Sequence, residues 1–263
     1  ATYQLTTLLD VNNNLTIVGG TLESNGFDIY VGGNWDNDDL FTPGTDTVYM
    51  DGTGATTYTI DSDGSNANDY FYHIDFNDSG TGTTYQLLGD LDANNNLTIT
   101  GGTLDSNGFD TYVGGNFDND DLFLPDSNTL YMDGSAATTY TIDSDGSDAN
   151  DYFYNIVFND NAGGATYQIL NDLDANNNLT ITGGTLDSNG FDTYVGGNFD
   201  NDDIFLPGTQ TLYMNGSAAT TYTIDSDGST ADDHLYDINF NDSGGGATYQ
   251  LTTLLDVNNN LTI

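Results

Sequence analysis

The chain has 263 residues, 41 of them acidic and none Lys or Arg, for a formal charge of -41. No Lys or Arg salt bridge can form, and the basic surface that binds nucleic acid or an anionic membrane is absent. There is no Cys, so no disulfide framework exists, and no apolar run approaches the ~20 residues of a membrane-spanning helix.

The opening segment from Ala1 to Ile17, "ATYQLTTLLDVNNNLTI", recurs unchanged from Ala247 to Ile263. Tyr3, Tyr85, Tyr167 and Tyr249 each sit in "TYQ", at a constant step of 82 in residue number, and Leu15, Leu97, Leu179 and Leu261 each begin "LTI" at the same step. Such a period takes precedence over other fold reasoning. It divides the chain into repeats at 1–82, 83–164 and 165–246, with 247–263 starting a fourth. The fourth start returns to the spelling of the first repeat, so a longer period of three repeats lies on top. Both periods suggest a window on a longer array.

Within each repeat the elements are short. In the second, "NLTIT" alternates Leu97 and Ile99 with Thr and ends at Gly101-Gly102. "FDTYV" follows, then Gly114-Gly115, then "TLYMDG", "TTYTIDSDG" and "YFYNIVFND". Period-2 alternation bounded by Gly and Asn reads as strands. No stretch carries the apolar spacing of an amphipathic helix. Hydrophobic residues at 36% and aromatics at 12% argue against disorder.

Two architectures fit such strands. One is a parallel β-solenoid, in which identical Asn residues on successive turns can form amide ladders. The other is a string of tandem β-sandwich domains, for which Asn25-Gly26, Asn107-Gly108 and Asn189-Gly190 would be hairpin turns. The missing linkers and the frequency of Gly-Gly breaks favour the solenoid.

The words "LTITGGTLDSNGFDTYVGGNFDND", "TLYMDGSAATTYTI" and "YFYNIVFNDNAGGATYQIL" resemble the repeats of filamentous-haemagglutinin-like and autotransporter-like bacterial surface proteins. The resemblance extends over every repeat. It implies a right-handed parallel β-helix with about four rungs per repeat, in large secreted or cell-surface proteins of adhesive or structural role. Where that pattern has a neutral, Gly-bearing turn after the aromatic residue, this chain has Asp36-Asn37-Asp38-Asp39 and its copies.

Two acidic words recur. One contributes Asp36, Asp38 and Asp39, then Asp118, Asp120 and Asp121, then Asp200, Asp202 and Asp203. The other contributes Asp61 and Asp63, Asp143 and Asp145, and Asp225 and Asp227. Calcium takes six to eight oxygen ligands, and alternating Asp beside a Gly turn supplies several. These residues are the candidate calcium ligands. The competing reading is a solvated acidic turn, but stacked like charges repel across strands and no cationic side chain offsets them.

His73 and His234 do not recur: the copies of His73 are Asn155 and Asp237, and those of His234 are Tyr70 and Tyr152. Variable surface substitution accounts for both. Each acidic word occurs three times, whereas an enzyme site is usually unique. The expected function is an extracellular structural fibre or surface stalk without catalysis. It would self-associate or continue as a tandem array, with divalent cations stabilising it. A glycan-binding adhesin contacting a cell surface and a polysaccharide-active β-helix enzyme are the alternatives.

Overall fold

A computed structural model describes residues 1–62, 69–78, 80, 82–144, 151–160, 164–226, 234–242 and 244–263. The described residues carry 32 short strands and no helix, and every described pairing of strands is parallel. The chain separates into two compact units, Ala1–Asn128 with Asp145–Asp151, and Thr129–Ser144 with Tyr152–Ile263.

In the first unit consecutive strands fall on three ladders in rotation. Thr2–Gln4, Leu9–Val11 and Leu15–Ile17 make one turn. Thr21–Glu23, Ile29–Val31 and Trp35–Asn37 stack on them in the same order. Leu40–Thr42, Thr47–Met50 and Thr57–Asp61 make the next turn. This is a parallel β-solenoid with three strands per turn, and the tandem-sandwich alternative is excluded because sandwiches are built from antiparallel sheets. The second unit repeats the pattern: Thr166–Ile169 carries Thr185–Asp187, Leu173–Ala175 carries Thr193–Val195, and Leu179–Ile181 carries Phe199–Asn201.

The alternation seen in sequence is the alternation of burial. In Leu91–Ala93, Leu97–Gly101 and Thr111–Val113 every second side chain is buried. The core is a column of Leu, Ile, Val and Phe, with Trp35 in edge-on contact with Phe41 and Phe71 at ring centroids 4.9 and 5.0 Å apart. On the first ladder Phe71, bridged to Ala93, takes the place of a strand. Its ring lies 6.1 Å from that of Phe41 on the turn below.

This substitution sets how the sequence repeat maps onto the turns. Thr2–Gln4 lies on the first ladder, but its copy one repeat later, Thr84–Leu87, lies on the third, between Thr57–Asp61 and Thr103–Asp105. One repeat therefore advances three and two-thirds turns, close to the four expected, and the copies of a residue move to a different face. The second unit has the same step: Thr166–Ile169 and its copy Thr248–Leu251 belong to different ladders.

The corners are built from Gly and Asn. Asn25-Gly26, Asn107-Gly108 and Asn189-Gly190 all have positive φ; they turn the chain from one ladder to the next instead of closing hairpins. At Gly33 a Cβ would come 2.7 Å from the carbonyl carbon of Asn13 on the turn below, so the stacked corner admits no side chain. Asparagine amides stack beside it. Asn34 N–H donates to Asn14 Oδ1 and Thr59 N–H to Asn34 Oδ1, both at 3.0 Å. In the second unit Asn198 N–H donates to Asn178 Oδ1 at 3.0 Å and Thr223 N–H to Asn198 Oδ1 at 2.7 Å. The Asn34 and Asn198 N–H groups lie at corners and those of Thr59 and Thr223 within strands; each bond gives a backbone N–H its acceptor.

Candidate cation-binding columns

The four positions of the first acidic word do different work because they straddle the end of a strand. In Trp35–Asn37 the ring of Trp35 and the amide of Asn37 point inward and are buried, while Asp36 points out. Asn37 Nδ2 donates to Asp69 Oδ1 at 3.1 Å, and Phe41 N–H donates to the same oxygen at 3.0 Å. Asn119 Nδ2 donates likewise to Asp151 Oδ1 at 3.1 Å. The inward Asn thus ties the corner to the turn above.

The last acid of the word turns back to a glycine corner. Gly102 N–H donates to Asp121 Oδ2 and Gly184 N–H to Asp203 Oδ2, each at 2.7 Å, and Gly20 N–H donates to Asp39 Oδ2. All three glycines have positive φ. Asp39, Asp121 and Asp203 therefore act as corner caps. Elsewhere the same economy recurs. Thr47 N–H donates to Asp28 Oδ1 at 3.0 Å and Thr83 N–H to Asp78 Oδ2 at 2.9 Å. Asp242 accepts N–H groups from Gly244, Gly245, Gly246 and Ala247, which hold its carboxyl below the ordinary value. Backbone N–H dipoles stabilise carboxylates here, where other proteins use Lys and Arg.

Among the described pairings, carboxylates face carboxylates in two columns. Asp36 is the register partner of Asp61 on the next turn, and Asp200 is the register partner of Asp225. The two acidic words, far apart in sequence, thus meet on adjacent turns. Partial burial, then repulsion from Asp38 and Asp61, raises the Asp36 carboxyl above its ordinary value. Burial, then Asp202 and Asp225, does the same to Asp200. Asp225 also accepts from Thr253 Oγ1 at 2.7 Å, and Asn171 Nδ2 donates to Asp143 Oδ1.

Of the fifteen predicted ligands, Asp36, Asp38 and Asp61 come together, as do Asp200, Asp202 and Asp225. Asp118 is the middle residue of Phe117–Asn119 and Asp120 follows that strand in the first unit, and Asp143 ends Thr139–Asp143 in the second. Asp63, Asp145 and Asp227 lie outside the described residues. Among the described residues, no group of three or more His, Cys, Asp or Glu is placed to hold a metal ion. The donor set is hard carboxylate oxygen, which suits calcium.

No protein family, curated protein or solved structure matches the chain.

Sequence reasoning missed the role shared by His73, Asn155 and Asp237. Asn96 N–H donates to His73 Nδ1 at 3.3 Å, Asn178 N–H to Asn155 Oδ1 at 3.2 Å, and Asn260 N–H to Asp237 Oδ1 at 2.7 Å. Three chemically unlike residues accept at one corner, and their common acceptor atom was the available clue. The outward tyrosines also pair. Tyr30 stacks on Tyr49 and Tyr194 on Tyr213, so each ring in a pair covers a face of the other. No helix among the described residues is long and apolar enough to cross a membrane.

Proposed function

We propose that this chain is a length of extracellular structural fibre or surface stalk, extended by further turns and stabilised by divalent cations. The observation that carries the reading is the parallel stacking of turn on turn within each unit, in which inner turns are covered by their neighbours on the same ladders. Tyr85 is fully buried, whereas its copy Tyr3 is 62% exposed. Leu87 is fully buried and its copy Leu251 is 47% exposed. At one edge Tyr3, Leu9, Val11, Leu15, Ile17 and Leu22 line an open apolar cavity of about 450 Å³. At an edge of the second unit Phe240, Tyr249, Leu251, Leu255, Leu261 and Ile263 line one of about 340 Å³. Another turn, from the same array or a second copy, covers such an edge as each inner turn covers its neighbour.

Cations enter through the Asp36–Asp61 and Asp200–Asp225 columns. A calcium ion between stacked carboxylates removes their repulsion, with water or another molecule completing its coordination. Binding to the folded chain alone adds stability by mass action. The resemblance to filamentous-haemagglutinin-like and autotransporter-like surface repeats supports an extracellular place and a mechanical role. A glycan-binding surface is less well supported, because stacking of the outward tyrosines covers ring faces that a sugar would use.

Sedimentation of the whole chain over a range of concentrations, with calcium or with a chelator, tests the reading. End-to-end assembly that strengthens with calcium is expected. A monomer at every concentration in both conditions would overturn it.

A further inference from the structure

The outward tyrosine pairs have the geometry of covalent staples. Tyr30 and Tyr49 are register partners on adjacent turns, with ring centroids 4.6 Å apart and planes 10° from parallel. Tyr194 and Tyr213 repeat this in the second unit at 4.7 Å and 7°. All four are partly exposed, and the β-ladder holds their stems one strand spacing apart. No more easily oxidised side chain competes at the surface. The chain has no Cys, and Trp35, Met50, Met132 and Met214 are all buried.

We propose that each pair is a site of oxidative coupling, at which a haem-peroxidase-type oxidant with hydrogen peroxide joins adjacent turns through a dityrosine bond. Each phenol gives up one electron and its hydroxyl proton, which leaves a neutral phenoxyl radical with spin on the ring carbons ortho to oxygen. The two radicals join ortho carbon to ortho carbon. Each joined carbon then loses its hydrogen as a proton, each oxygen regains one, and both rings become aromatic again. Two phenols and one hydrogen peroxide become one dityrosine and two waters. Stacking lays one ring over the other, so side-chain rotation suffices to bring the ortho carbons into bonding contact. Asp10, Asp28 and Asp51 surround Tyr30, and their negative field favours removal of an electron. The staple would cross-link turns in a chain that has no disulfide, and it does not depend on cation binding.

The test is oxidation of the whole chain, at low concentration, by a haem peroxidase and hydrogen peroxide, followed by peptic digestion and tandem mass spectrometry. Peptides joined through Tyr30–Tyr49 and Tyr194–Tyr213 are expected. Their yield should exceed that from chain oxidised in denaturant by about tenfold or more, because the folded chain holds the partners together. Tyr49→Phe keeps the ring and the stack, and should remove the first cross-link alone; Tyr213→Phe should remove the second alone. Equal yields from folded and denatured chain would overturn the proposal. So would Tyr30 coupling to other tyrosines in Tyr49→Phe as readily as it couples to Tyr49 in the parent.

Discussion

Asp36 and Asp61 face each other across adjacent turns as register partners, two carboxylates stacked at the parallel-strand spacing with no Lys or Arg anywhere in the chain. Removing one charge should relieve the column. Asp36→Asn is expected to stabilise the chelator-treated protein by about 0.2–1 kcal/mol, the usual scale of a cross-strand like-charge pair, and to shrink the gain in melting temperature on adding calcium. Thermal melts with calcium and with chelator check both halves. An unchanged calcium response in Asp36→Asn paired with Asp200→Asn would place the cation elsewhere.

The same column sets a pH dependence. The raised carboxyls of Asp36 and Asp200 bind protons more readily in the folded chain than in the unfolded one. Their contribution costs stability at neutral pH, and that cost is relieved as pH falls through their folded values towards the ordinary carboxylate range. Melting temperature in chelator should therefore rise from neutral pH into mild acid, and high salt should flatten the rise.

His73 works in the opposite direction. Burial holds it below its ordinary value of 6.5, partly offset by Asp28, and its Nδ1 must stay unprotonated to accept from Asn96. The unfolded chain takes up the proton first. The stability from this neutral imidazole is present above the ordinary value and is lost as pH falls through the folded one. His73→Asn, which copies the residue at 155, should fold normally and lose this component. The difference between the two chains' melting temperatures across about pH 7.5 to 5 isolates it.

Gly33 sits where a corner stacks on Asn13. Gly33→Ala pushes a methyl group into backbone and should cost about 1–3 kcal/mol, the scale of an overpacked site. Urea unfolding measures it. Gly26→Ala meets no neighbouring atom but must hold a positive φ, and is expected to cost about 1 kcal/mol.

An axial period should accompany the step of three and two-thirds turns. In an array that keeps this step throughout, three repeats would complete eleven turns, and at ~4.8 Å per turn the three-repeat period would rise about 53 Å. Fibre diffraction or electron microscopy of the calcium-assembled protein reads this directly. A clean period of about 58 Å, which four whole turns per repeat would give at the same spacing, would contradict the step.

Much of this was legible in the words themselves. Alternation in "LTI" and "TYV" marked which side chains enter the core, and the missing helix spacing excluded helices. The repeated Asn and Gly marked corners, because those residues tolerate the positive φ that the Asn-Gly turns require. The site was half legible. Asp36, Asp39 and Asp121 look alike in sequence, yet Asp36 points out of a strand while Asp39 and Asp121 cap glycine corners. Which applies follows from the position in the word relative to the strand end, and only the stacked structure shows where that end falls. His73 looked like an idle substitution for the same reason.

By itself the sequence determined that this is an all-β, repeating chain without Lys or Arg, since composition and short-range alternation are local properties. Tertiary structure decided which face each residue occupies. Phe71 stands in for a strand on one ladder, so a repeat ends two-thirds of the way round a turn, and equivalent residues move to a different face while keeping equivalent stacked neighbours, as Tyr85 on Tyr58 and Tyr167 on Tyr140 do. That fraction comes from how turns stack, which no local pattern in the sequence encodes.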